Sequence, residues 1–151
     1  MESVDKSASD QADGLRRLLA ENPPLRVVSF LAGCPSVGKT SLVSNIAVCL
    51  ARQGREVLIV DENRGKGNML AQFGITSPHD LLHVLNRDMS LNEVLVQPTP
   101  HVNVLPAARA VAELGRLSLE QQQVFVDSVR GLTNPVDVVL VDTAYAHELG
   151  F

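Results

Sequence analysis

RVVSFLAGCPSVGKTSLVSNIAVCLARQGREVLIVD, residues 26–61, decides the fold. Its first seven residues, Arg26 to Ala32, are almost continuously apolar and rich in β-branched side chains. That is the pattern of a strand buried on both faces, as in a parallel sheet. A glycine-punctuated turn follows. Leu42, Val43, Ile46, Ala47, Leu50 and Ala51 then recur at helical spacing, and Gly54 stands where a helix C-terminus favours glycine. EVLIVD (56–61) is a second buried strand. Strand, loop, helix and strand in this order form a βαβ unit, whose crossover is right-handed.

Outward from this unit the alternation continues. VNVLPA (102–107) and VDVVLVD (136–142) read as a third and a fourth strand, and nine residues follow the last. Between them lie helix starts. Ser77-Pro78 offers an N-cap with proline at the first helical position and Asp80 at the third. SLNE (90–93) and SLEQ (118–121) both have capping-box form, and Val124, Val126, Val129 and Leu132 continue the second helix. The expected architecture is α/β and Rossmann-like, a mostly parallel sheet with helices on both faces.

The chemistry lies in the turn. Gly33-Cys34-Pro35-Ser36-Val37-Gly38-Lys39-Thr40 fits G-x-x-x-x-G-K-[ST] without a gap, between a strand and a helix. Successive backbone N–H groups of such a loop surround phosphate oxygens, and the helix N-terminus adds its positive dipole end. Gly33, Ser36, Val37, Gly38, Lys39, Thr40 and Ser41 are therefore the candidate contacts for ATP or ADP. Lys39 would reach the β- and γ-phosphates, and the Thr40 hydroxyl would ligate Mg²⁺. Asp142, ending the fourth strand, sits where a Walker B aspartate would hold magnesium through water; an aspartate there can also serve as a helix cap.

Composition sets the surroundings. The chain has 151 residues, enough for one domain with a sizeable core, and 45% of them are hydrophobic. The net charge is −4 with no dense basic run, so direct nucleic-acid binding is not expected. Cys34 and Cys49 fit neither a zinc site nor a disulfide framework, which points to a reducing, cytoplasmic setting. Glu2, Asp5, Asp10, Asp13 and Glu21 rule against a signal peptide, and no apolar run is long enough to cross a membrane. Ahead of the first strand, Ser9 or Asp10 can cap a short helix with Ala12, Leu15, Leu18 and Leu19 on one stripe, ended by Asn22-Pro23-Pro24. The chain thus divides into a helix and linker, residues 1–24, and a phosphate-loop domain, residues 25–151.

VGKTSLVSNIAVCLARQGREVLIVD (37–61) resembles the MinD/ParA class of P-loop ATPases, the deviant Walker A group of the SIMIBI class, and the likeness runs from about Arg26 to Thr143. VLPAARAVAELGRLSLEQQQVF (104–125) and VDVVLVDTA (136–144) narrow it to FlhG, also called FleN or YlxH, the MinD-like regulators of flagellar number and placement. FlhG proteins carry an N-terminal D-Q-A-x-x-L-R segment, which Asp10-Gln11-Ala12-Asp13-Gly14-Leu15-Arg16 matches in full. The resemblance implies that this helix docks on the FlhF dimer, a signal-recognition-type GTPase, and stimulates GTP hydrolysis. Gln11 would reach toward the partner's catalytic site, and Leu15, with Ala12, Leu18 and Leu19, would anchor the stripe. Arg16 would pair with acidic or phosphate groups. It further implies Asp61 as a metal residue beside Thr40 and Asp142, homodimerisation, flagellar C-ring proteins or a flagellar transcription regulator as partners, and a place at the cell pole or peripheral to the inner membrane through those partners.

Departures from the family pattern matter as much. The family's loop is K-G-G-x-G-K-[ST], whose first lysine acts on the partner's nucleotide across a dimer; here that position is Cys34, and Pro35 and Ser36 replace two glycines. The second-strand motif V-D-x-D-x-G reads Val60-Asp61-Glu62-Asn63-Arg64-Gly65, with Asn63 where the resemblance places the aspartate that orients the attacking water. No catalytic residue is intact on this reading. FlhG-like chains also continue into further strands, adenine-contacting residues and a membrane-targeting helix, so the sequence reads as shortened after its Walker B strand and as lacking the anchor. The competing reading is an active, ATP-dependent dimerising switch, favoured by Lys39, Thr40, Asp61 and Asp142. A DNA-partition factor is disfavoured by charge and by the opening helix. His79 and His83, four apart, read as a solvated or partly buried face before a metal pair, and Arg64 with Lys66 as a mildly basic loop.

Overall fold

The computed structural model describes residues 25–111 and 118–144. The segment 1–24, with its stripe, motif and linker, and the last residues, 145–151, lie outside them. Among the described residues five strands form one sheet in the order β1-β5-β2-β4-β3. They are β1 (Arg26–Phe30), β2 (Val57–Asp61), β3 (Val96–Thr99), β4 (Val102–Pro106) and β5 (Val138–Asp142). Four of them run parallel: β5 lies between β1 and β2, and β4 flanks β2 on its other side. The α-helices among the described residues are α1 (Lys39–Arg52), α2 (Met69–Gln72), α3 (Leu81–Leu85), α4 (Leu91–Val94) and α5 (Leu119–Arg130).

Alternation along β2 shows why both faces are covered. Val57 and Ile59 pack with Val43, Ala47 and Ala51 of α1 and with Met69 and Leu70 of α2. Leu58 and Val60 point the other way, into Leu81, Val84 and Leu85 of α3, Leu91 and Val94 of α4, and Val129 of α5. All five residues of β2 are buried, as its unbroken apolar run demands. Each fully buried Val, Leu or Ile contributes about 1.5–3 kcal/mol of hydrophobic stabilisation before entropy is counted.

Three local expectations are corrected. β1 is not buried on both faces. Among the described residues it is an edge strand, with four of five residues exposed, Val27 at 59% and Val28 at 45%. The apolar run specified a strand, but not that a neighbour would cover it. β3 was not foreseen: VQPT is four residues long, contains a proline that cannot donate to a ladder, and pairs antiparallel with β4 at the opposite edge, where such a strand is tolerated. Finally, the helix after Ser77-Pro78 starts three residues later than its proline suggested. Asp80 is the N-cap of α3, with Oδ1 accepting from the Leu82 N–H at 2.7 Å, while Ser77 Oγ accepts from the His79 N–H at 3.2 Å in a turn of its own. The capping boxes at Ser90 and Ser118 form as their sequences predict, and Gly54 takes φ +78° just past α1.

Asp80 also ties two segments together. Its Oδ2 accepts from the Arg109 N–H at 2.9 Å, and Arg109 Nε lies 3.4 Å away, so this 3%-exposed carboxylate joins the start of α3 to the chain after β4. Asp80→Ala removes a cap and strands a backbone donor, and is expected to cost about 2–3 kcal/mol in urea denaturation.

Candidate functional site

The phosphate loop lies at the carboxyl end of β1 and leads into α1. Gly38 is the α1 N-cap in the left-handed region, φ +82°, where a side chain would be strained, and its carbonyl accepts from the Leu42 N–H at 2.9 Å. Ser36 also has positive φ, 60°, and it occupies one of the two positions where the family pattern has glycine. The departure at Ser36 therefore leaves the loop's left-handed turn in place. A cavity of ≈ 370 Å³ opens over the loop, lined by Cys34, Ser36, Val37, Gly38, Lys39, Thr40 and Ser41 on one side. Asn63, Arg64, Gly67 and Gln72 line the other. Of the candidate nucleotide contacts, six of the seven share this cavity, Gly33 being outside its lining.

Lys39 is turned toward β5. Its ammonium donates to Asp142 Oδ1 and to the Thr143 carbonyl. Asp142 is completely buried, and its second oxygen, Oδ2, is buried without a hydrogen-bond partner. An orphaned carboxylate oxygen beside a phosphate loop fits a divalent cation. Thr40 and Asp142 are the residues that would hold Mg²⁺, with nucleotide phosphates completing an oxygen shell of the kind magnesium prefers. Among the described residues no group of three or more His, Cys, Asp or Glu gathers as a metal cage.

Asp61 is engaged differently from its proposed metal role. Parallel register sets it beside Asp142. Its Oδ1 accepts from the Asn63 backbone N–H at 3.1 Å and from the Asn63 amide at 2.9 Å, and its Oδ2 accepts from the Met69 N–H at 2.6 Å. Both oxygens thus hold the 62–69 loop in place. The Asn63 amide also donates to the Asp142 carbonyl at 3.1 Å. This bridge is invisible to sequence spacing, because it needs the β2–β5 register. Gln72 was missed likewise; it reaches α1 through Ser44 and Ser41.

Burial raises the Asp61 pKa from 3.8, with neighbouring Asp142 adding to the rise and the bonds from Asn63 and Met69 opposing it. A raised folded-state pKa means the native state holds the proton longer than the unfolded chain. Stability from this group is therefore present below pH 3.8 and is lost as pH rises through the folded pKa. Urea titrations across that window should show wild type losing stability relative to Asp61→Asn as pH rises; the opposite slope would refute the assignment.

His79 and His83 do not share a helix face. His79 precedes α3, and the rings meet edge to face with centroids 5.3 Å apart. His83 Nδ1 accepts from the Asp80 N–H at 3.2 Å, which gives it a capping role. Cys34 and Cys49 are free and exposed.

A strand-borne phosphate loop opposite a buried aspartate, on a parallel sheet, defines a P-loop nucleotide-binding domain. A family model described as "AAA domain" matches residues 25–149. The antiactivator FleN of Pseudomonas aeruginosa is 31% identical over 121 residues, covering 80% of this chain and 43% of FleN. The flagellum site-determining protein YlxH of Helicobacter pylori is 27% identical, covering 78% of this chain and 40% of YlxH. Among solved structures, the MinC:MinD cell division complex of Aquifex aeolicus has a TM-score of 0.63 at 26% identity, over 83% of this chain and 50% of that one. The chain belongs to the FlhG/MinD-type P-loop ATPase family. It spans half or less of the length of these relatives. A cobyrinic acid a,c-diamide synthase from Mycobacterium smegmatis, solved with ADP and magnesium, shares the fold at a TM-score of 0.61 over 78% of this chain and 50% of that one.

Proposed function

We propose that this chain is an FlhG-like flagellar regulator in which residues 25–151 form a nucleotide-binding scaffold with impaired hydrolysis. Residues 1–24 present an activator helix to an FlhF-like signal-recognition-type GTPase. The observation that carries this reading is the full D-Q-A-x-x-L-R match at Asp10–Arg16 ahead of a domain related to FleN and YlxH. ATP or ADP with Mg²⁺ would sit over Ser36–Ser41, with Thr40 and Asp142 toward the metal. Flagellar C-ring proteins or a transcription regulator, a homodimer, and a cytoplasmic place near the pole belong to the same proposal. No helix among the described residues is long and apolar enough to cross a membrane.

Impaired hydrolysis rests on two side chains. Cys34 offers no charge to a transferring phosphoryl group. Asn63 is held by Asp61 and the Asp142 carbonyl, and an amide cannot take a proton from water. Electrostatic and water-positioning contributions are each worth roughly hundredfold or more in rate. ATP turnover is expected at least about a hundredfold below that of a MinD-type enzyme assayed alongside. Asn63→Asp alone should not restore it, since the new carboxylate would face Asp61 Oδ1 and the Asp142 carbonyl, two acceptors, in place of donating to them. Turnover equal to MinD and lost on Thr40→Ala would instead establish the dimerising ATPase switch, which the unpartnered Asp142 oxygen favours. A nucleotide titration run beside the assay separates binding from hydrolysis.

A further inference from the structure

Against the family pattern, the cavity over the phosphate loop has lost one cation and gained another. Cys34 stands where the pattern has its first lysine. On the facing wall is Arg64, at a free position of V-D-x-D-x-G, between Asn63 and Gly65. Lys39 and Arg64 are the cations of this lining, and no carboxylate lines it among the described residues. Lys39 is already paired with buried Asp142. Arg64 makes no such pair among the described residues; its Nε donates to the Ala108 carbonyl at 3.2 Å. A guanidinium carries five N–H donors, so its terminal nitrogens keep four, in the planar fork that takes phosphate oxygens two at a time.

Arg64 is also held in place. Asp61 fixes the chain before it through the Asn63 N–H and after it through the Met69 N–H, at 3.1 and 2.6 Å. Gly65 turns the loop directly after it with φ +77°, a conformation strained for a residue with a side chain. Its neighbour Asn63 reaches the Asp142 carbonyl at 3.1 Å, so Arg64 stands on the side of the cavity where Asp142 would hold Mg²⁺. A nucleotide's magnesium bridges the β- and γ-oxygens, and a cation on that side meets the terminal phosphate. Resting on the reading of this cavity as a nucleotide site, we propose that Arg64 grips the γ-phosphate of ATP and makes the site prefer ATP to ADP.

The grip strengthens binding without supplying what cleavage needs. Arg64 brings charge to the phosphate, while Asn63 still cannot take a proton from water. ATP is then a long-lived ligand that this site distinguishes from ADP, and the Ala108 bond ties the distinction to the chain after β4.

The test is calorimetric titration of the full chain, in Mg²⁺, with ADP and with the β,γ-imido analogue of ATP, which resists cleavage. Wild type is expected to bind the analogue more tightly than ADP. Arg64→Ala should weaken the analogue about tenfold or more, as loss of hydrogen bonds to a charged group does, with ADP unchanged. Arg64→Lys should recover part of the loss, because a point charge remains without the fork. Equal weakening of both nucleotides in Arg64→Ala would overturn the proposal, since a loop loosened by loss of the Ala108 bond acts on both alike. Equal affinity of wild type for the analogue and ADP would also overturn it and leave the nucleotide site itself standing. Uptake of neither by wild type would overturn the nucleotide reading and this proposal together.

Discussion

Lys39→Ala is expected to destabilise the nucleotide-free chain by about 3–5 kcal/mol, the usual cost of removing one partner from a buried ion pair. Asp142 is fully buried and Lys39 12% exposed in its side chain, so solvent screens the pair little. Without the ammonium, Asp142 keeps one oxygen that already lacks a partner and gains a second, with Asp61 beside it. The Thr143 carbonyl loses its donor as well. At about 2–4 °C per kcal/mol for a chain of this size, the melting temperature should fall by about 10 °C. Asp142→Asn in the Lys39→Ala background should recover part of the loss, because it removes the unpaired charge. A melting temperature within 2 °C of wild type would show that the pair contributes little. The arrangement has a consequence for binding. A nucleotide can recruit Lys39 only by drawing it from Asp142, which a divalent cation at the carboxylate would compensate. Binding should therefore depend steeply on Mg²⁺, and loss of binding in Lys39→Ala has to be separated from loss of fold.

The parts of the molecule with strong local signals were legible in the sequence. The apolar runs at 57–61 and 138–142 became buried parallel strands, and the loop between β1 and α1 took its turn at Gly38 as its spacing requires. Ser90 and Ser118 capped the helices they precede, because a capping box is complete within four residues. What escaped depended on partners far along the chain. Burial of β1 needed a neighbour that its own composition does not encode. The start of α3 moved to Asp80 because that carboxylate gains Arg109, 29 residues away, which a local proline rule cannot weigh. At the site, the motif located Lys39 and Asp142. The Asn63 bridge from Asp61 to the Asp142 carbonyl appeared only when β2 and β5 were set in register.

Leu15→Asp is expected to abolish binding of this chain to the GTP-bound FlhF-like dimer, and Gln11→Ala to spare binding while removing most GTPase stimulation. Both follow from the division of labour in SDQADGLRRLLAEN (9–22). Burying Leu15, Leu18 and Leu19 contributes up to about 1.5–3 kcal/mol each. Ordering the segment opposes this gain, so a complex of modest affinity is expected. Putting a carboxylate at Leu15 removes one of three anchors and buries a charge in an apolar contact, which such a complex is not expected to survive. Gln11 is uncharged and cannot act as a base; its proposed part is to position water or complete a hydrogen-bond network in the partner's site. Its loss therefore registers in turnover rather than in affinity. The measurement is GTP hydrolysis and binding by the partner with the full chain, each variant, and a synthetic peptide of residues 7–22. If Gln11→Ala stimulates as well as wild type, or if neither chain nor peptide binds, residues 9–22 are not an activator.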